Sequence, residues 1–495
     1  MFVAAFVLAA ASGGAVVVVP PEPTADTPPG TAWIAQAVAD ALPRALGLLD
    51  VPAVERSDRL RAQESLGIPA KAALTRASAI RVAEALGASR LVVGSYEQRE
   101  GQVRLALRML DLERGSLSAP LIAIGPLVTL GDLVHALAWD IALSGSSPPS
   151  RTRAEFQALL RPVPFEALQA YAEGLAAPDP AERRKCLQRA LVLHPGYDQA
   201  RLTLGRTQLE TRELAAALAS FERIDAASPF ARRARFLKGV ALLQLGRYRE
   251  AADLYASLLQ TETTPGALNN QAIALLRLGR AHARASAVLK KAVDLEPSSV
   301  DLPFNLGFAF LVEGDPDAAA FWLRGVVRNE PRDHQARLLL CWALRRAGLT
   351  VQADEEWRAL SALTTSYGSL STPDPTRRFE RIEVSEQALL KGSEGRSDAE
   401  LVATHVSKAA TLAEAGNLEG AEAELTQAAY LDPYAPRVHL LLGRALKRRG
   451  ERDKAVGQMR MSLWCRDDPA VRQELVDLLK EMGRDAEARR LLDGS

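Results

Sequence analysis

The sequence predicts a mainly α-helical solenoid preceded by a small α/β domain. Three observations carry that expectation. A 34-residue period, visible from Asp198 to His334 in steps of 34, runs through the later part of the chain. The stretch 103–109 instead alternates apolar residues with arginine and alanine, a period of two. The composition is rich in alanine and leucine with only 5% aromatics, which suits close-packed helices better than a sheet sandwich. At 495 residues the chain is too long for one compact core, so several domains or a repeat array are expected.

The period is read from units starting at Asp198, Arg232, Gly266, Val300 and His334. Position twenty is alanine in all five: Ala217, Ala251, Ala285, Ala319 and Ala353. Position twenty-four is large and apolar: Phe221, Tyr255, Leu289, Leu323 and Trp357. Glycine recurs at position eight (Gly205, Gly239, Gly307) and at fifteen (Gly246, Gly314, Gly348), and proline at thirty-two (Pro229, Pro297, Pro331). The register extends back to Pro164 and forward to units at Val402, Pro436 and Ala470.

Such a period means a helix–turn–helix that stacks on its neighbours. Small residues at eight and twenty let two helices approach. The large residue at twenty-four plugs the gap toward the next unit, glycine near fifteen permits the turn, and proline stops the second helix. The stretch "LGRYREAADLYASLL", 245–259, is then one turn and second helix. This pattern resembles the tetratricopeptide repeat family, and the resemblance implies an α-superhelix of about nine units over 164–367 and 402–495. Departures are mild: Ile273 and Cys341 replace glycine at position eight, and Lys238 replaces an apolar residue at seven.

One period, 368–401, fails the pattern. Pro373 and Pro375 forbid a normal first helix, yet the phase holds on either side. Two readings remain: a degenerate repeat with a helix near Phe379 to Lys391, or a linker between two arrays.

Residues 16–143 predict the α/β domain. Val16 to Val19 suit a buried strand, 31–48 an amphipathic helix, and "VPAVERSDRL" a short strand leading into a helix. Arg76 to Leu86 reads as a helix stopped by Gly87, Gly101 sits at a hairpin turn, and Leu130 to Leu143 is a further helix. Residues 144–163 read as a linker. The segment resembles the TolB amino-terminal domain through Val16 to Pro20, Leu86-Gly87-Ala88, Val92 to Tyr96, Gly101, Asp111 and Gly115. Pro21 replaces the usual aromatic, and no β-propeller pattern follows. The resemblance implies a binding domain without catalysis. Residues 1–15 include a short apolar run ending in three alanines, without a basic start. It admits three readings: a signal peptide, a membrane anchor, or a buried segment.

Net charge is +1, which leaves no electrostatic footprint for nucleic acid. Cys186, Cys341 and Cys465 are far apart and odd in number, against a disulfide framework or a metal site. The sequence holds no GxSxG, HExxH, CxxC or phosphate-loop motif, and its six histidines are scattered. No catalytic residue, metal or cofactor is expected. First helices of such an array line a concave groove, as the resemblance implies. There Asn270 and Asn305 fall in consecutive units, near Phe308, Trp342 and Arg345. A side-chain amide can pair with both N–H and C=O of an extended peptide. The alternative is that these residues cap turns or pack between helices.

The reading is a non-catalytic scaffold for protein or peptide partners in the bacterial envelope or periplasm. A cytoplasmic or membrane-anchored sensory module lacking its effector is the second reading, and an enzyme with an unrecognised site the third.

Overall fold

The structure, a computed structural model, describes residues 14–69, 72–145, 149–279, 285–297, 299–365, 367, 378–384 and 394–492. It divides into two compact units, meeting in sequence between Leu245 and Gly246.

The first unit opens with the α/β domain. Strand β1 (Val16–Val18) runs parallel to β3 (Arg90–Arg99), pairing Val17 with Leu91, and β2 (Glu22–Pro23) continues along the same edge. Strand β4 (Gln102–Asp111) returns antiparallel to β3, and β5 (Ser116–Leu117) and β6 (Leu121–Pro126) pair with β4. The β3–β4 connection is the two residues Glu100 and Gly101, both with positive φ, 49° and 77°, as a tight hairpin requires. Helices α1 (Ala32–Gly47), α2 (Arg56–Ser65), α3 (Arg76–Ala85) and α4 (Leu130–Leu143) cover the sheet. Alternation decides which side chain meets which helix. Val16, Val18, Val103, Leu105 and Leu107 join α1 and α4 in one core, while Val17, Val19 and Leu91 join α2 and α3 in another. A strand buried on both faces explains the unbroken valine run.

The stretch read as a linker contains helix α5 (Arg153–Leu159). Thr152 and Glu155 cap it reciprocally, and Phe156 is buried in the α/β core beside Trp139. Helical pairs follow: α6 (Phe165–Ala176) with α7 (Pro180–Leu193), α8 (Asp198–Glu210) with α9 (Leu214–Glu222), then α10 (Ala231–Leu245). Helix α6 packs on α1, and a buried carboxylate joins them. Asp40 Oδ2 accepts from Arg44 at 2.7 Å, Tyr171 Oη at 3.0 Å and Gln199 Nε2 at 2.5 Å.

The second unit continues with α11 (Tyr248–Leu259), α12 (Pro265–Leu278), α13 (Ala285–Leu295), α14 (Asp301–Glu313), α15 (Pro316–Asn329), α16 (His334–Arg346) and α17 (Thr350–Leu363). After it come α18 (Glu394–Glu414), α19 (Leu418–Leu431), α20 (Pro436–Arg448), α21 (Arg452–Cys465), α22 (Pro469–Glu481) and α23 (Asp485–Leu492). The alanines of position twenty are all buried, and so are Ala421 and Ala455 in the later units.

One packing expectation changes. In two units the large residue of position twenty-four fills the space over the glycine of its own unit, whereas Tyr255 reaches Asn270 of the next unit. A Cβ on Gly205 would collide with the Phe221 ring, and one on Gly307 would lie 2.7 Å from Leu323. The glycine is small because its partner is large.

A second correction concerns the failing period. Residues 378–384 are not helical; the alternate residues Arg381 and Glu383 turn both N–H and C=O to one side, as an extended chain does. The remainder of the helix expected up to Lys391, together with Pro373 and Pro375, lies outside the described residues. The extended segment crosses the first helices of the second unit. The later helices turn back, so that α21 packs on α15. Tyr434 stacks on Trp322 at 4.2 Å, and Lys290 donates to the Leu463 carbonyl at 2.9 Å.

Candidate functional site

The groove is built from α12, α14 and α16, and Arg378–Val384 lies in it. Helix α12 starts with Pro265 at its first turn, where a missing N–H costs nothing. It carries Asn269 and Asn270, both fully buried. Helix α14 carries Asp301, Phe304, Asn305 and Phe308. Helix α16 is capped by Asp333, whose Oδ1 accepts from the backbone N–H of Gln335 and Ala336, and it carries Trp342.

Two asparagines hold the segment's backbone. Asn270 Nδ2 donates to the Glu383 carbonyl at 2.8 Å, and Asn270 Oδ1 accepts from the Glu383 N–H at 2.9 Å. Asn305 does the same at Arg381: Nδ2 donates to the carbonyl at 2.7 Å and Oδ1 accepts from the N–H at 2.8 Å. Residues two apart on an extended chain present their N–H and C=O on one side, which is the spacing the two amides read. Asn269 braces the pair, donating to the Arg381 carbonyl at 3.0 Å and accepting from Asn305 at 2.8 Å. Tyr255 Oη accepts from Asn270 at 3.1 Å.

Three side chains of the segment are anchored. Phe379 is buried edge-on between Phe308 and Trp342, with ring centroids 5.8 and 5.5 Å away. Glu380 pairs with Arg277, and both side chains are largely buried. The Arg381 guanidinium lies 3.7 Å from the Phe304 ring centroid and pairs with Asp301 at 2.7 Å and with Asp333. Burial opposes its charge, but the hydrogen bonds and charges of Asp333 and Asp301 outweigh that cost. Its pKa therefore lies above the ordinary arginine value. Asp333 thus does two jobs: one oxygen caps α16 and the other holds Arg381.

Of the residues singled out in the sequence, Asn270, Asn305, Phe308 and Trp342 converge on this segment. Arg345 pairs with Asp354 at 3.6 Å and lies over the Trp357 ring. Sequence reasoning missed Asn269, Arg277, Asp301, Phe304 and Asp333. One signal was available: two adjacent asparagines inside a helix are poor helix formers and imply another task. Among the described residues no group of three or more His, Cys, Asp or Glu side chains could hold a metal ion. His405 and His439 bond instead to Glu424 and Gln458. No helix among the described residues is long and apolar enough to cross a membrane.

The tetratricopeptide repeat family model matches residues 175–231, 202–267 and 269–333. Residues 175–333 carry tetratricopeptide repeats. Similar solved structures include YrrB, described as a TPR protein with an unusual peptide-binding site. It is 17% identical with a TM-score of 0.32, over 37% of this chain and 95% of that one. The MamA protein is 16% identical with a TM-score of 0.31, over 35% and 94%. MamA from Desulfovibrio magneticus RS-1 is 17% identical with a TM-score of 0.31, over 34% and 94%. No curated protein sequence matches the chain.

Proposed function

We propose that this tetratricopeptide chain is a non-catalytic scaffold that binds protein or peptide partners as extended segments in the α12–α14–α16 groove. One observation carries the reading: Asn270 and Asn305 each pair with both the N–H and the C=O of alternate residues in an extended chain. Backbone pairing of this kind is blind to side chains and supplies affinity. Selection comes from the Phe308–Trp342 slot and from the Asp301–Asp333 carboxylates.

The magnitudes rank the contacts. Each neutral hydrogen bond contributes about 0.5–1.5 kcal/mol net, and one to a charged group about 1.5–3 kcal/mol. Burying a phenylalanine side chain contributes about 1.5–3 kcal/mol. The arginine and the aromatic residue therefore outweigh any single backbone bond. The four amide–backbone bonds together match either.

The test adds Asn270→Ala and Asn305→Ala to a full chain that carries Phe379→Ala and Arg381→Ala, so that residues 378–384 no longer compete for the same amides, and assays both chains by calorimetry against partners recovered from the host. Loss of four bonds predicts an affinity drop of roughly thirtyfold or more. Affinities within about twofold of the chain that keeps both asparagines would reject the groove.

The apolar run at 1–11 supports an envelope location, and the likeness of 16–143 to the TolB amino-terminal domain supports a second binding domain beside the repeats. Fractionation of the tagged full-length chain tests the location, and recovery solely with cytoplasmic proteins would reject it.

A further inference from the structure

The groove is occupied by the chain itself, and the occupant describes the partner. We propose that Arg378–Val384 is a resident pseudo-ligand, and that the groove's external partner is an extended peptide with an aromatic residue, an acidic residue and an arginine in succession, which binds by displacing it. The proposal rests on the peptide-groove reading and adds the partner's chemistry and its mode of entry.

The segment satisfies each fixed feature of the groove with a different residue. Phe379 enters the slot of Phe308 and Trp342. Glu380 meets Arg277, and Arg381 meets Asp301, Asp333 and the Phe304 face. Ile382 is half-buried and Val384 is 53% exposed, so recognition weakens after Glu383. An aromatic side chain is favoured because two rings wall the slot and meet it in T-shaped contacts. An arginine is required because two carboxylates and a ring face converge on one point, which suits a planar guanidinium better than an ammonium. An acidic residue between them answers a largely buried Arg277.

The occupant is separable from the walls. Helices α12 to α16 pack on one another in sequence order through their own apolar faces. The segment adds mostly polar and charged contacts to a finished surface. It also arises from the one period that fails the repeat pattern, so no hairpin is lost if it leaves. Tethered in the same chain, it acts at an effective concentration on the order of millimolar. An external peptide of equal contacts is therefore suppressed until its own concentration or affinity overcomes that advantage.

The experiment uses the full chain and a fluorescein-labelled synthetic peptide spanning residues 377–385, followed by anisotropy. Against Phe379→Ala/Arg381→Ala, which weakens the resident segment without touching the walls, the peptide is expected to bind at least about tenfold more tightly than against the parent. Adding Asn270→Ala/Asn305→Ala should abolish that binding. A peptide with alanine at its own arginine should lose about tenfold or more. Hydrogen exchange on the parent supplies a readout that needs no variant: excess peptide should deprotect the amides of Arg381 and Glu383.

Equal affinity for parent and Phe379→Ala/Arg381→Ala, with unchanged protection of those amides, would overturn the pseudo-ligand while leaving the groove standing, provided the asparagine variants still weaken binding. Binding to Phe379→Ala/Arg381→Ala that is indifferent to the added asparagine changes would overturn the groove itself. A parental dimer that becomes monomeric in Phe379→Ala/Arg381→Ala would place the segment in a second copy and overturn the in-chain assignment.

Discussion

A methyl group at Gly307 would lie 2.7 Å from Leu323 Cγ, well inside carbon–carbon contact. Gly307→Ala is therefore expected to destabilise the chain by about 1–3 kcal/mol, read by chemical denaturation. Gly457, inside α21 with nothing within 4 Å of its added Cβ, is the control. There alanine should stabilise by up to about 1 kcal/mol through helix propensity. The turn between α8 and α9 holds the opposite case. Arg212 sits at φ 63°, at the position where later units place Gly246 or Gly314. Its side chain is exposed, so Arg212→Gly removes strain and little else, with an expected gain of about 0.5–1 kcal/mol. Cys341 occupies the glycine position of its unit, and burial pushes its thiol from 9.0 up to about 12. The folded chain binds that proton more tightly than the unfolded one. Its stabilising share is complete below pH 9.0 and is lost as pH rises toward about 12. Folded protein at neutral pH should resist thiol alkylation there. The small residue at position eight was legible as a close helix approach, but its pairing with position twenty-four of the same unit was not, because the large residue reads equally well as filling the seam with the next unit.

Among elements, the contact of α1 with α6 turns on one carboxylate. Asp40 accepts from Arg44, Tyr171 and Gln199 with little exposure of its own. Removing it leaves three donors facing each other, so Asp40→Ala should cost about 2–4 kcal/mol in thermal or chemical unfolding. Tyr171→Phe removes one bond and should cost about 1 kcal/mol. This node was not legible, since Gln199 lies 159 residues from Asp40 and neither belongs to a periodic pattern. The groove segment failed for the same reason. Its local sequence carries no continuous apolar face for 378–384, and the groups that extend it are asparagines 76 and 113 residues upstream. The asparagines themselves were legible, because a side-chain amide on the first helix of a repeat has an obvious backbone partner. What would fill their hydrogen bonds was not. The helices of the α/β domain followed from periodicity, whereas β6 passed unnoticed: its apolar residues Ile122 and Ile124 face outward, 46% and 61% exposed.

At the scale of the second unit, the repeat pattern alone suggests a continuous stack, and the packing departs from it after α17. Tyr434, in the connection between α19 and α20, donates to the Trp322 carbonyl at 2.8 Å, 112 residues away, and stacks on that indole. Phe321 meets Tyr434, His439 and Trp464 beside it. Gly325 makes room for this contact, because a Cβ there would overlap the Tyr434 hydroxyl. The turn-back therefore depends on a glycine in the middle of α15, where helix propensity alone would favour alanine. Gly325→Ala tests that dependence, since its sign differs between two backgrounds. In the parent the methyl displaces Tyr434 and should cost about 1–3 kcal/mol. In Tyr434→Ala, itself expected to cost about 1.5–3 kcal/mol as a partly buried aromatic, the collision is gone and the same change should gain up to about 1 kcal/mol. The cycle then gives a coupling of about 1–4 kcal/mol between Gly325 and Tyr434, at or above the roughly 0.5–3 kcal/mol of residues in contact. Additive effects of the two changes would mean that α20 and α21 do not dock on α15 in solution. The groove face and the docked face would then belong to separate helical stacks joined only through the chain.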